Sequence, residues 1–348
     1  MNFKAYLNTI SNRARSLPVV ILYVTEGCNL KCVTCSYRKP LPGELSFEEI
    51  TVLAESLKQF GLRHIVYSGG EPLLRRDFPE ICGLFHNTGI KQTLLTNGLL
   101  LEKRLLELQN VFSEIIVSID GADADIHNRI RGVNSFDIIL TGISAAVSAG
   151  ENVSIRTVLQ KQNYRALPEF ITMARYAGVK RISFLAADVS SEAYGRDSIA
   201  HKLDQKGTVE NESVIALNSG ETAELRTIIN EMAVKNKRDF DSGFISESPE
   251  KLLGLADYYD ALRGVGRFPN TLCNAPMVSL VITSTGDVHP CFFLPAYANI
   301  RNTPFPAAAN TDSIMQTRKA VKNYEPSECK RCVCTLYTSP RNALADKF

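Results

Sequence analysis

The chain has 348 residues, of which 45% are hydrophobic and 22% are charged, and its formal net charge at pH 7 is +2. This length suits one large domain or two modules, and a balanced charge without blocks of one sign gives no indication of nucleic-acid or membrane-surface binding. No run near the N-terminus is long and apolar enough for a signal peptide or a membrane span, so we expect a cytoplasmic protein.

Residues 1–18 form the first predicted element. Apolar side chains recur there at helical spacing, which predicts a short amphipathic helix packed on the rest of the molecule. These side chains are Phe3, Leu7, Ile10, Ala14 and Leu17.

Predicted strands and helices then alternate as far as residue 186. Short β-branched runs predict six strands, at 19–25, 64–68, 92–96, 114–120, 153–159 and 181–186. The clearest helix begins after Ser46, which forms a capping box with Glu49, and ends at Gly61. Further helices are predicted over 136–150 and 167–178.

A single cysteine, Cys82, falls in this alternating region away from all others. It shares a helical stripe with apolar neighbours, on a helix that we expect Asp77 to cap, so we interpret it as a core residue.

Six strand-helix repeats with near-continuous apolar strands predict a parallel sheet buried on both faces. Either an open doubly wound sheet or a curved partial barrel satisfies this pattern. In both folds the active site lies at the carboxyl ends of the strands.

Residues 187–264 differ in composition from the sheet region. Residues 187–250 are rich in Asp, Ser, Glu, Asn and Gly, which predicts a linker or a partly mobile insertion. A helix capped by Ser248, with Pro249 at its first position and Gly264 at its end, should follow.

The nine cysteines favour metal binding or catalysis over disulfides, because a cytoplasmic compartment keeps thiols reduced. Three of them, Cys28, Cys32 and Cys35, follow the first predicted strand directly. A structural zinc site needs four ligands, and this region offers no fourth. An iron-sulfur cluster held by three thiolates keeps one iron open for another ligand.

The C-x3-C-x2-C spacing of these cysteines resembles the signature of the radical S-adenosylmethionine (SAM) enzymes. The second predicted strand ends in Gly69, Gly70, Glu71 and Pro72, which resembles the second motif of that family. The resemblance implies a partial (β/α)6 TIM-like barrel over 19–186. It also implies a 4Fe-4S cluster held by the three cysteines and SAM.

The resemblance further implies which residues bind SAM. Gly69 and Gly70 would let the backbone approach the methionine moiety, and Glu71 would accept a hydrogen bond from its ammonium group. The other contacts carried over by position are Ser118 and Asp120 for the ribose, Arg156 for the methionine carboxylate, and Thr34 and Leu185 for the adenine.

Two further polar residues, His127 and Arg131, fall in a predicted loop after the fourth strand, and similar sequences occur in relatives of this enzyme group. The alternative is that they only hold this loop, as a single histidine near a turn usually does.

The remaining five cysteines lie between residues 273 and 334. Cys273 and Cys291 flank a predicted hairpin with a turn at 284–287, and Cys329 and Cys332 follow. Four thiolates suit zinc or a second 4Fe-4S cluster.

The order of these cysteines resembles the twitch module, the short form of the SPASM extension. The resemblance implies a small hairpin and helix domain over 265–348 with one auxiliary 4Fe-4S cluster. Cys334 is the fifth thiol. It would replace Cys332 as ligand, donate a hydrogen atom, or be a buried thiol.

The implied function is that of a radical SAM oxidoreductase: reductive cleavage of SAM gives a 5′-deoxyadenosyl radical, which takes a hydrogen atom from the substrate. An auxiliary cluster favours net oxidation, by dehydrogenation or cross-linking. Epimerisation, decarboxylation and adenosyl addition stay open, and a protein of another class would be a non-catalytic iron-sulfur or zinc carrier. Expected partners are a reductant such as flavodoxin or ferredoxin and a small-molecule, lipid or peptide substrate.

Overall fold

The computed structural model describes residues 2–191, 193, 212–270 and 272–345. The strands are β1 Val19–Thr25, β2 His64–Gly69, β3 Lys91–Thr96, β4 Glu114–Ser118, β5 Val153–Leu159, β6 Arg181–Ala186, β7 Ser279–Ile282, β8 Asp287–His289 and β9 Ala298–Asn299. Strands β1 to β6 are parallel and neighbour each other in chain order. The predicted partial barrel is therefore confirmed, and the sheet stays open because β6 and β1 are not neighbours.

The described residues also form sixteen α-helices. The first eight are α1 Phe3–Ile10, α2 Phe47–Gln59, α3 Phe78–Gly83, α4 Leu101–Arg104, α5 Ala124–Arg131, α6 Phe136–Ser148, α7 Leu167–Tyr176 and α8 Glu212–Ile215. The others are α9 Ser219–Lys235, α10 Lys237–Ser242, α11 Pro249–Leu262, α12 Ala275–Val278, α13 Phe305–Ala308, α14 Asp312–Lys322, α15 Ser327–Lys330 and α16 Pro340–Leu344. Short 3-10 turns occur at Pro72–Leu74, Leu105–Glu107 and Tyr164–Ala166.

Local sequence explains how several helices begin and end. Ser46 and Glu49 form the predicted capping box of α2, and Gly61 follows it in the left-handed region at φ +90°. Helix α11 begins at the predicted cap, because the Ser248 side chain accepts a hydrogen bond from the backbone N–H of Lys251.

The hairpin formed by β7 and β8 extends the barrel sheet. Strand β7 pairs in parallel with β1, from Val19 opposite Ser279 to Leu22 opposite Ile282. Strands β8 and β9 then add in antiparallel order, which gives a nine-stranded sheet. At the other edge, the backbone N–H of Ile182 in β6 donates to Phe244, and its carbonyl accepts from Ser246.

Four local predictions were wrong. The predicted N-terminal helix forms as α1, but its predicted apolar stripe is wrong: α1 ends at Ile10 and buries Ala5 and Asn8, whereas Phe3 and Ile10 are exposed. The fourth strand ends at Ser118, two residues before the predicted end.

Asp77 occupies the cap position of α3 without a capping hydrogen bond, because its carboxylate pairs with Arg75. His127 and Arg131 lie on helix α5 and not in a loop. Cys82 is fully buried, as predicted.

Part of the predicted insertion is helical, since α9 and α10 fall within 187–250 and α9 packs on α11. Residues 194–211 of the insertion lie outside the described residues. Within the described residues, no single helix has the length and apolar composition to cross a membrane. In that same part of the chain, only α5 and α6 taken together reach the length and apolar composition of a membrane span. Their axes are bent by 103° relative to each other.

Candidate active site

An open cavity of about 1300 Å³, counted with its mouth, lies at the carboxyl ends of the barrel strands. Cys28, Cys32 and Cys35 all line it. The predicted SAM contacts that also line it are Thr34, Gly69, Gly70, Ser118, Asp120, Arg156 and Leu185. The fold therefore brings together the cysteine loop and seven of the eight predicted SAM contacts, and Glu71 is the exception.

The cysteine loop is held against the end of helix α5. The backbone N–H groups of Lys31 and Val33 donate to the carbonyls of Arg131 and Ile130, at 3.0 Å each. Gly132 ends α5 at φ +71°, and a Cβ there would lie 2.5 Å from the Lys31 carbonyl oxygen. Only glycine permits this close approach, so the end of α5 fixes the backbone that carries Cys32.

Two polar side chains donate toward the sulfur atoms of the loop. The Asn97 amide nitrogen lies 3.8 Å from Cys28 Sγ, and the Arg131 Nη1 atom lies 3.8 Å from Cys32 Sγ. Sequence reasoning missed Asn97. Its position directly after strand β3, at the same end as the cysteine loop, is the signal that could have identified it.

Arg131 is nearly fully buried, and its Nη2 atom pairs with Asp120 Oδ2 at 2.8 Å. Although burial opposes the charge, Asp120 and Cys32 raise the pKa of Arg131, which keeps it cationic. The second Asp120 oxygen accepts from the Val158 N–H at 2.9 Å. Both oxygens of this predicted ribose contact are therefore already engaged.

His127 is fully buried in the same layer. Its Nδ1 atom lies 3.4 Å from the Asp120 N–H, and its ring packs on Phe136 with centroids 5.4 Å apart. Burial, with Arg131 nearby, lowers the pKa of His127 to about 3, so the ring is neutral. His127 holds the connection between β4 and α5.

Glu71 lies beneath the cavity with its side chain fully buried. One carboxylate oxygen accepts from Thr96 Oγ1 at 2.8 Å and the Leu73 N–H at 3.0 Å, and the other from the Asn97 N–H at 2.7 Å. Burial raises its pKa to about 7 despite these donors. In this structure Glu71 ties the end of β2 to the end of β3.

The two glycines before Glu71 pack under the cysteine loop. A Cβ on Gly69, at φ +109°, would lie 2.3 Å from the Thr25 carbonyl oxygen, and one on Gly70 would lie 2.2 Å from the Gly27 oxygen. The Gly70 N–H donates to Thr25 at 2.8 Å. Both positions therefore require glycine so that the backbone of this motif can pack against the backbone that leads into the cysteine loop.

Arg156 is half-buried on β5 and faces the cavity. Its Nε atom donates to Ser183 Oγ on the adjacent strand β6 at 3.3 Å. This places a cation on the cavity wall, across the barrel from β1.

A second cavity of about 650 Å³, also counted with its mouth, adjoins the first, and all five C-terminal cysteines line it. Asn274 joins the two segments that carry them: its side chain bonds the Thr338 N–H and carbonyl at 2.9 and 2.8 Å, and its N–H donates to Leu336. Cys334 and Phe292 line both cavities.

The thiol donors suit iron-sulfur clusters. All nine cysteines are free, and the eight outside α3 line the two cavities. Among the described residues, no three His, Cys, Asp or Glu side chains converge on one metal ion. Each thiolate in a cluster binds its own iron, so cluster ligands need not converge on a single point.

An open parallel barrel with three thiols at its strand ends, joined to a five-thiol module, defines the class of iron-sulfur enzymes that bind a ligand at the barrel mouth. The family model of the radical SAM superfamily matches residues 22–174, and that of the SPASM iron-sulfur cluster-binding domain matches residues 273–333. The chain therefore contains a radical SAM domain, followed by a C-terminal SPASM iron-sulfur cluster-binding domain. Its cofactors are SAM with a 4Fe-4S cluster, and an auxiliary 4Fe-4S cluster in the SPASM domain.

Similar proteins act on different substrates. The chain is 34% identical to Fe-coproporphyrin III synthase of Methanosarcina barkeri over 48% of this chain and 43% of that protein. It is 27% identical to GTP 3′,8-cyclase of Shewanella denitrificans over 84% of this chain and 82% of that protein. The match to the first relative spans less than half of that protein.

A solved structure shares the fold. The crystal structure of Streptococcus suis SuiB bound to precursor peptide SuiA superimposes with a TM-score of 0.63 at 17% identity, and covers 94% of this chain and 75% of that chain.

The predicted domain bounds and the residue assignments within the site stay predictions.

Proposed function

We propose that this enzyme cleaves SAM reductively, abstracts a hydrogen atom from its substrate, and completes a net oxidation, either a dehydrogenation or a cross-link. The observation that carries the proposal is the shared wall between the two thiol-lined cavities, formed in part by Phe292 and Cys334. A substrate in the barrel mouth would touch this wall.

The residues of the first cavity would hold SAM and the cluster. Cys28, Cys32 and Cys35 supply three thiolates, and the cationic side chain of Arg156 suits the methionine carboxylate. Ser118 offers a hydroxyl group to the ribose, and Thr34 and Leu185 provide surface for the adenine. Glu71 would act by positioning the ends of β2 and β3, since its oxygens are engaged below the cavity.

The C-terminal residues would hold the auxiliary cluster. Cys273, Cys291, Cys329 and Cys332 form the preferred ligand set, because they line the second cavity and not the first, whereas Cys334 lines both. When bound, the first cluster supplies the electron that cleaves SAM and the auxiliary cluster supplies an acceptor for one electron. In a dehydrogenation the substrate loses one hydrogen atom to the 5′-deoxyadenosyl radical, then one electron and one proton.

A redox-neutral reaction is the second candidate, and the position of Cys334 favours it. A thiol on the wall of the first cavity can return a hydrogen atom to a substrate radical, as an epimerase requires. The thiyl radical left on Cys334 would then take one electron from the auxiliary cluster and one proton from solvent. A small acidic electron carrier of the flavodoxin or ferredoxin kind would supply electrons in either case. Substrates to test include tetrapyrroles, nucleotides and peptides, because the similar proteins act on or bind these compounds.

The test is anaerobic reconstitution of the full chain, followed by iron counting and a 5′-deoxyadenosine assay with SAM and dithionite. We expect about eight irons per chain, from two four-iron clusters. Cys32→Ala should retain about four irons and lose SAM cleavage, whereas Cys291→Ala should lose the auxiliary irons and still cleave SAM. SAM cleavage by Cys32→Ala would refute the assignment.

The reaction outcome is read from a deuterated substrate. Net oxidation predicts deuterium in 5′-deoxyadenosine and a product lighter by two hydrogen atoms. With unlabelled substrate in D2O, a product that keeps all the hydrogen positions of the substrate and carries one solvent deuterium, with this uptake lost in Cys334→Ala, would replace the oxidation with the redox-neutral reaction.

A further inference from the structure

We propose that Arg131 and Asn97 set the reduction potential of the first cluster by donating hydrogen bonds to two of its three cysteine ligands. The inference rests on the proposed function, in which Cys28, Cys32 and Cys35 hold that cluster. It adds two positioning residues that act on the cluster through its ligands.

Arg131 presents a fixed cationic donor to Cys32. Its Nη2 atom is locked by the ion pair with Asp120, and Asp120 is itself held by the Val158 N–H. The other terminal nitrogen of the guanidinium group, Nη1, lies 3.8 Å from Cys32 Sγ. The Arg131 backbone carbonyl also accepts the Lys31 N–H, so the donor and the cysteine loop keep a fixed relative position.

Asn97 presents a neutral donor to Cys28. Its side-chain oxygen accepts from the Leu99 N–H at 3.0 Å, which directs the amide nitrogen toward Cys28 Sγ at 3.8 Å and Asn29 Oδ1 at 2.8 Å. Its backbone N–H is held by the buried Glu71. The orientation of this amide is therefore fixed from both sides.

The direction of the effect follows from charge. Reduction adds an electron to the cluster and its thiolates, and donors to the sulfur atoms stabilise that extra charge, which raises the potential. A buried cation acts more strongly than a neutral amide in surroundings of low dielectric constant. Loss of either donor should make the potential more negative, and loss of Arg131 should do so more.

The test is a reductive titration of the reconstituted full-length protein, followed by electron paramagnetic resonance. The signal of the first cluster is the one that is absent from Cys32→Ala and that changes when SAM is added. Arg131→Gln removes the charge, Asn97→Ala removes the amide, and Arg181→Gln is the matched control. Arg181 pairs with Glu114 at the amino ends of the strands, away from the cysteine loop at their carboxyl ends.

We expect a more negative midpoint in Arg131→Gln and a smaller shift of the same sign in Asn97→Ala. Arg181→Gln, and the auxiliary cluster in every variant, should keep the wild-type midpoint. Unchanged midpoints in the loaded variants would overturn the inference. If Arg131→Gln does not retain its first cluster, the midpoint of Asn97→Ala decides the matter alone.

The two proposals fail separately. If the first-cluster signal persists in Cys32→Ala, the cysteine assignment of the proposed function is wrong, and this inference falls with it. If that signal is lost in Cys32→Ala while both donor variants titrate like the wild type, only the inference is wrong.

Discussion

At the scale of single residues, Glu71 shows how a motif residue can have a structural task. Its motif predicts a contact to SAM, but the carboxylate accepts three hydrogen bonds from the protein and is fully buried. The sequence could not show this, because the donors Thr96 and Asn97 come from the next strand. Burial raises the pKa of Glu71 to about 7, so its protonation changes near neutral pH.

Glu71→Gln should change how stability depends on pH. The pKa of Glu71 is higher in the folded state than in the unfolded state. The stability that the protonated Glu71 contributes to the wild type is therefore lost as pH rises from about 4.5 to about 7. Glutamine does not titrate. Between pH 5 and pH 8, the free energy of unfolding of the variant should therefore rise by about 2.5 kcal/mol relative to that of the wild type.

Chemical unfolding of both proteins in the same state of cluster loading measures this shift. Both keep the same cysteines, so pH effects on the thiols cancel in the comparison. An identical pH slope in the two proteins would show that Glu71 has an ordinary pKa.

At the scale of secondary structure, the barrel strands could be predicted closely because each is a short apolar run between turn signals. Strands β1, β5 and β6 have the predicted bounds. The stripe of α1 was wrong because Ala14 and Leu17 are buried beyond the end of the helix, while Phe3 and Ile10 are exposed. Helical spacing alone does not show where a helix stops.

The end of β2 should tolerate no side chain at Gly69. Gly69→Ala would place a Cβ 2.3 Å from the Thr25 carbonyl oxygen at φ +109°, and we expect a loss of about 2 to 4 kcal/mol of stability. Gly83→Ala is the matched control: it lies at the end of α3, and no atom beyond its chain neighbours and the backbone of its own helix lies within 4 Å of its added Cβ. Thermal unfolding should show a lower midpoint for the first variant only, and equal midpoints would contradict the strain argument.

At the scale of the whole molecule, the SPASM region extends the barrel sheet at its β1 edge. Leu280, Ile282 and Val288 are fully buried in the same apolar core as the barrel strands. The sequence predicts the hairpin itself, because its turn and alternating residues are local. It does not predict that β7 pairs with β1, about 260 residues earlier, because nothing in either strand encodes so distant a partner.

A chain ended at residue 264 should therefore fail to give a folded barrel. It would expose the hydrogen-bonding edge of β1 and the apolar surface that β7 covers. We expect aggregation, measured by size-exclusion chromatography and circular dichroism. Full-length Cys273→Ala/Cys291→Ala, which keeps the hairpin but loses auxiliary ligands, should stay folded, and a monomeric truncated protein that cleaves SAM would contradict this.

The two outer borders of the nine-stranded sheet limit self-association. One border is β9, which is only two residues long, and the other is β6, which the strip from Phe244 to Ser246 covers by backbone hydrogen bonds at Ile182. Long bare strands recruit foreign strands and seed aggregates. In the described part of the chain, one border is therefore too short, and the other is partly covered, so neither offers a long bare strand to another molecule.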